Sequence, residues 1–236
     1  MAMALKRTRS AKYIWVSDFV YGGIDGAVTT FAVVAGVEGA SLPVAIVLIL
    51  GFANLLADGV SMAVSKYSSD KAEKERIQRI RRLEYKSIRE KPQEEREEIE
   101  QILQDHGFTG KALESATHVI TKDKDVWVDI MMKHEFDVVE EAIYPLKSAR
   151  TTFLAFNAIG IIPLIGYVLT PFFQFDTKVV FIVTSIFTMI ALFIVGTIKA
   201  QFTDGKWWDA GLRTVLTGGI AATLAYLVGY ALRGIA

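Results

Sequence analysis

Residues 179–199 read Val179-Val180-Phe181-Ile182-Val183-Thr184-Ser185-Ile186-Phe187-Thr188-Met189-Ile190-Ala191-Leu192-Phe193-Ile194-Val195-Gly196-Thr197-Ile198-Lys199, with no charged side chain before the last position. A helix of about 20 mostly apolar residues crosses a hydrocarbon core, so this stretch belongs in lipid. Four further stretches of similar character surround it, at 13–37, 42–67, 151–170 and 211–232, and each reads as a helix. The composition agrees: 52% of the 236 residues are hydrophobic, mean hydropathy is +0.33, and the apolar residues are gathered into runs. The expected fold is all-α, a polytopic membrane protein with five transmembrane helices and a three-helix insert between the second and third. The chain divides accordingly into 1–67 (tail and spans one and two), 68–148 (polar helical insert) and 149–236 (spans three to five).

The 26 basic and 26 acidic residues cancel, so no overall field recruits nucleic acid, and useful electrostatics are local. With no cysteine, disulfides, thiolate nucleophiles, Cys-type zinc sites and iron–sulfur clusters are excluded. Any metal ligand is oxygen, nitrogen or thioether sulfur. Lys6, Arg7, Arg9 and Lys12 precede the first span in the manner of a secretory signal, but Asp18 and Asp25 interrupt the apolar region such a signal needs. The same four basic residues, set against an uncharged-basic turn at 38–41 and Lys178 alone near 173–178, orient the chain with its N-terminus and insert in the cytosol. The expected residence is a prokaryotic plasma membrane or a vacuolar membrane.

Within the insert, residues 71–91 hold nine basic and four acidic side chains, whereas 92–105 hold one and six. The change falls at Pro92 and predicts two helices joined by a short turn, the second opening Pro-Gln-Glu-Glu as a helix N-terminus favours. A third helix is expected over 126–143, with Asp125 placed to cap it.

Asp25 sits midway along the first span, inside Gly22-Gly23-Ile24-Asp25-Gly26. A carboxylate there costs several kcal/mol unless it faces a partner or a water-filled path, and the glycines let another backbone approach. Pairing of helices is the plain structural role, and ion handling the functional one. On the second span Asn54, Asp58, Ser61 and Met62 fall at i, i+4, i+7 and i+8, one face carrying an amide, a carboxylate, a hydroxyl and a thioether. Oxygen donors suit hard or borderline divalent ions, and a thioether favours Fe²⁺ over Mg²⁺ or Ca²⁺, although methionine is commonly a core filler. In the insert, Glu95 and Glu98 are neighbours on one helix face, beside Glu94 and Glu97. They can collect divalent metal or form a solvated charged face. Met131, Met132 and Glu135 set soft and hard donors on adjacent surfaces. His106, His118 and His134 lack zinc-motif spacing, and neither a Walker A sequence nor a GxSxG elbow is present.

Ser17-Asp18-Phe19-Val20-Tyr21-Gly22-Gly23-Ile24-Asp25-Gly26 resembles the first-helix motif of the vacuolar iron transporter family, and Ala57-Asp58-Gly59-Val60-Ser61-Met62 with Tyr67 resembles its second. The likeness continues through the Pro-led acidic helix and Ile130-Met131-Met132-Lys133-His134-Glu135. The resemblance implies a homodimer with its pore at the subunit interface, moving ferrous iron out of the cytosol against protons; it implies no enzyme activity and no resident cofactor. By the same likeness Asp25 is the pore carboxylate and Met62 the pore thioether, while Glu84, Glu95, Glu98, Met131, Met132 and Glu135 match cytosolic metal-binding positions. Two positions depart from the pattern. Asn54 stands where plant members carry a pore glutamate, and Ser87 where an insert glutamate is expected, which makes Asp58 the candidate for the missing pore charge.

The expected mechanism has the insert gather Fe²⁺, with Mn²⁺ and similar ions accepted by the same ligands, and hand it to Asp58, Met62 and Asp25. A carboxylate that carries a proton when empty gives it up to an arriving cation, so one group exchanges H⁺ for metal. Two rivals compete with this: an intramembrane aspartyl protease using two carboxylates as a dyad, and a membrane-anchored metal sensor or store that conducts nothing.

Overall fold

The computed structural model describes residues 2–136, 143–173, 175–200 and 205–235. Nine helices are seen among the described residues, with no strand: α1 Ala2–Gly39, α2 Val44–Glu90, α3 Pro92–Asp105, α4 Gly110–Lys122, α5 Lys124–Glu135, α6 Pro145–Gly160, α7 Ile162–Phe173, α8 Thr177–Ala200 and α9 Trp207–Leu232. They form two compact units, Met1–Ser69 with Tyr144–Ala236, and Asp70–Ile143.

The first unit is assembled around α1, which packs along α6, α9 and α8. Its interior mixes small and hydroxyl residues with larger side chains such as Phe31, Phe156, Leu164 and Tyr167. On α8 the buried positions Val180, Thr184, Thr188, Leu192, Gly196 and Ala200 recur every four residues, while Ile182, Ile186, Phe187, Ile190 and Ile194 point outward. Thr188 Oγ1 donates to the carbonyl of Thr184 at 2.7 Å, and Thr184 Oγ1 to that of Val180 at 2.8 Å, so the inward hydroxyls are satisfied within the helix. Apart from Val180 and Leu192, this inward row on α8 is small or hydroxyl, which suits lipid, since burying a large apolar side chain gains little over leaving it among acyl chains. The helices approach closely at glycines: a Cβ at Gly26 of α1 would lie 2.2 Å from the carbonyl oxygen of Phe156 on α6, and one at Gly229 of α9 would lie 2.0 Å from that of Gly36 on α1. The turn after α1 is a Schellman closure, with Leu42 N–H donating to Val37 O and Ser41 N–H to Glu38 O. It places Ser41 at φ 57°, where glycine is usual.

Four helices are long and apolar enough to span a membrane, Trp15–Gly39, Val44–Glu90, Thr177–Ala200 and Trp207–Leu232, and the number reaches five if the bent pair α6–α7 counts as one span. That bend corrects an expectation. Residues 151–170 read as a single helix, but Pro145–Gly160 and Ile162–Thr170 meet at 46°. Pro163 lacks an N–H and its ring crowds the carbonyl four residues back, at Ile159; Leu164 N–H turns instead to Ile161 O at 2.9 Å.

In the second unit, the break at Pro92 falls where the charge reversal puts it. The basic stretch before it, however, is the continuation of α2. The polar segment α4 was not anticipated, and α5 is a residue or two out of the expected register. Asp123, not Asp125, is its cap, accepting from the N–H groups of Asp125 and Val126. α5 ends at Glu135, and the remainder of the 126–143 helix expected here lies partly outside the described residues. Ile88, Ile99, Trp127, Val128, Met131 and Met132 form the core of this unit.

Candidate functional site

In the first unit, half-buried Asn54, Asp58, Met62 and Lys66 follow one another at four-residue steps along α2. Ser61, expected on the same face, is exposed and off this row. Opposite stands α1. Asn54 Nδ2 donates to Thr29 Oγ1 at 3.4 Å, and Thr29 Oγ1 donates to the Asp25 carbonyl oxygen at 2.8 Å. Asp25 and Asp58 lie within reach of each other's charge, and Lys66 Nζ is 3.2 Å from Asp18 Oδ1. Two antiparallel helices thus present paired polar groups in matching order: Asn54 with Thr29, Asp58 with Asp25, Lys66 with Asp18. Gly22 and Gly26, which flank Asp25, are the residues that let α6 close in behind it. Met62 also packs on the cluster that includes Leu55 and Phe156, so its thioether serves the core as well as the row.

Sequence reasoning passed over Asp18, Lys66 and Thr29. The signal was there for the first two: Asp18 precedes Asp25 by seven residues, two helical turns, and Lys66 follows Met62 by four.

In the second unit, Glu84 on α2, Glu95 and Glu98 on α3 and Glu135 on α5 share one electrostatic neighbourhood. Glu84 and Glu95 are buried, at 5% and 8% exposure, and one carboxylate oxygen of each has no hydrogen-bond partner. Glu84 follows Val44 by forty residues in α2, well past the about 20 that hydrocarbon requires. Burial first, then the charges of Glu135, Glu95 and Glu98, push its carboxyl up to about 7. Burial likewise raises Glu95, helped by Glu98 and Glu135, and raises Glu135, helped by Glu98. The carboxyls thus disfavour one another's charge, and the Lys91 ammonium offsets part of this at Glu95. Tyr85 donates to Asp125, and Arg81 pairs with Asp129; these bonds fasten α2 to α5 on either side of Glu84. Met131 and Met132 are 0% and 2% exposed, and their observed role is packing. Among the described residues, no three His, Asp or Glu side chains are drawn together closely enough to hold a metal as they stand. The rings of His106 and His134 meet edge-on at 5.2 Å, a pairing that their spacing of 28 residues conceals.

Carboxylates on two apolar helices, within reach of each other's charge, are the mark of a membrane protein that handles ions. The profile of the VIT family matches residues 16–230. The chain is 33% identical to the vacuolar iron transporter of Plasmodium falciparum over 92% of its own length and 82% of that protein's. It is 30% identical to vacuolar iron transporter 1 of Tulipa gesneriana, covering 93% and 88%, and 32% identical to vacuolar iron transporter 1 of Arabidopsis thaliana, covering 89% and 83%. The chain belongs to the VIT family, and the resemblance read from residues 17–26 and 57–62 is upheld. Membership in a family of transporters removes the protease alternative.

Proposed function

We propose that this protein moves ferrous iron, and other borderline divalent ions such as Mn²⁺, out of the cytosol across a membrane in exchange for protons. The observation that carries the reading is the pair Asp25 and Asp58, acidic groups on two apolar helices within each other's field. Charged groups at such depth mark ion pathways, and the relatives named above are called iron transporters. Met62 contributes a soft donor to the same row, which suits Fe²⁺ better than Mg²⁺.

In this reading the bent pair α6–α7 is the third of five spans. The N-terminus and insert face the cytosol, in a prokaryotic plasma membrane or a vacuolar one. Two copies form a homodimer that lines the pore with both rows. The insert's Glu84, Glu95, Glu98 and Glu135, joined by Met131 and Met132, collect the cargo, and Asp58, Asn54, Met62 and Asp25 carry it through. The cargo is substrate, and no resident cofactor takes part. The Asp25 and Asp58 carboxylates take up protons as metal leaves and surrender them as metal arrives.

Purified protein in liposomes, with an Fe²⁺-quenched dye and a pH dye inside, tests this under an imposed pH gradient. Metal entry with proton exit is expected, and both are lost in Asp25→Asn. Metal flux without proton movement removes the exchange; no flux in wild type overturns the whole reading.

A further inference from the structure

The polar row does not stop at Asp25 and Asp58. Continuing in the same register, α2 offers Lys66 and α1 offers Asp18, 3.2 Å apart, with side chains 28% and 6% exposed. Asp18 is thus the more deeply buried of the two, and it lies about 10 Å along α1 from Asp25. A carboxylate in such a place must be neutralised. The neutralising group here is an ammonium on a flexible four-carbon stem, a compact charge that makes no rigid fork. A cation already sits against Asp18, and it is covalently attached to the helix that carries Asn54, Asp58 and Met62.

We propose that Asp18 is a divalent-cation-binding carboxylate of the transport path and that Lys66 is its tethered stand-in, occupying Asp18 when no metal is there and withdrawing when one arrives. The inference rests on the transport reading given above. A tethered ammonium has a high effective concentration at its partner. A monovalent ion, with no more charge than the ammonium it must displace, competes poorly, whereas a divalent ion carries twice that charge. Lys66 therefore sets the apparent affinity for metal by competition and keeps the empty path neutral.

The alternative role is a simple clamp between helices. Removing either half of a clamp strands a buried charge and harms the protein in the same way, and exchanging the two residues restores it. A stand-in cation behaves differently, because its loss frees the site whereas loss of the carboxylate abolishes it.

The test measures initial Fe²⁺ uptake against Fe²⁺ concentration in liposomes containing wild type, Lys66→Met, Asp18→Asn or the exchanged pair Asp18→Lys with Lys66→Asp, with thermal unfolding of each in detergent. Lys66→Met should lower KM and Asp18→Asn should raise it, each by about tenfold, the scale of one charged contact, and the exchanged pair should resemble Asp18→Asn. Should Lys66→Met fail to fold, Lys66→Arg, whose guanidinium grips the carboxylate more firmly, should fold and raise KM. KM shifts of the same sign in both single variants, a wild-type KM in the exchanged pair, or an unchanged KM in folded Lys66→Arg overturns the inference while leaving transport intact. Absence of uptake by wild type sinks the transport reading and this inference with it.

Discussion

Asn54 Nδ2 donates to Thr29 Oγ1 at 3.4 Å, and the same hydroxyl donates to the backbone carbonyl of Asp25 at 2.8 Å. Asn54 is thereby linked to Asp25, without supplying charge itself. On the proposed path the acidic function on α2 falls to Asp58, one turn further on. Asp58→Asn should therefore reduce Fe²⁺ flux by about tenfold or more, the value of one charged ligand. Adding Asn54→Glu to that variant should restore most of it. Liposome flux assays on the two variants decide the matter, and wild-type flux in Asp58→Asn refutes the assignment.

Glu84 gives the second unit a pH dependence whose sign is fixed. Its folded-state carboxyl titrates at about 7 against an ordinary 4.5, so between those values the folded chain holds a proton that the unfolded chain has lost. Metal-free stability should accordingly rise as pH falls through 7 and level off below 4.5. Trp127, buried at 6% exposure in this unit, reports the transition by fluorescence once Trp15, Trp207 and Trp208 are replaced by phenylalanine. Glu84→Gln should flatten the curve and stabilise the metal-free unit at pH 8.

Metal binding to the same carboxylates should run the opposite way. Protons and cations compete for Glu84, Glu95 and Glu135, so affinity for Mn²⁺, used as an air-stable probe, should weaken as pH drops below 7. Glu84→Gln and Glu135→Gln should each lower affinity at pH 7.5, read by calorimetry on the full chain. Met131→Leu separates the two roles of that residue: it conserves volume and should cost less than about 1.5 kcal/mol of stability, so a fall in affinity would come from the lost sulfur.

At the α1–α6 crossing, Gly26→Ala pushes a methyl group to within 2.2 Å of the Phe156 carbonyl oxygen, and overpacking of this kind costs about 1–3 kcal/mol. Gly219→Ala is the matched control, because its new Cβ meets only Met189 Cε at an ordinary 3.6 Å. Melting in detergent should separate the two clearly, and equal melting would refute the packing account.

Runs of apolar residues made the membrane helices legible because lipid asks only for length and hydropathy. The same insensitivity hid the break at Gly160–Pro163, whose flanks are as apolar as any span. In the second unit, α4 escaped notice because Gly110–Lys122 mixes threonines and charges, and its helicity depends on a tertiary partner. Asp123 and Asp125 are chemically equivalent caps, and only backbone geometry chose between them. On the row, Asp25, Asp58 and Met62 could be found by period along one helix, whereas Asp18 and Lys66 are separated by 48 residues and meet only once α1 and α2 lie side by side. Of the glutamates of the second unit, Glu95, Glu98 and Glu135 stand out by their spacing and Glu84 only by likeness to a family; that Glu84 and Glu95 are the buried members of the group is not visible in the residues.

The glycine contact behind Asp25 also bears on how such proteins diversify. Position 26 admits no side chain without moving a neighbouring backbone, whereas position 54, half-buried on the opposite helix, already carries an amide. Enlarging the side chain therefore disturbs packing at position 26 far more than at position 54. Ion preference can accordingly be retuned from position 54 while the backbone crossing behind Asp25 stays as it is.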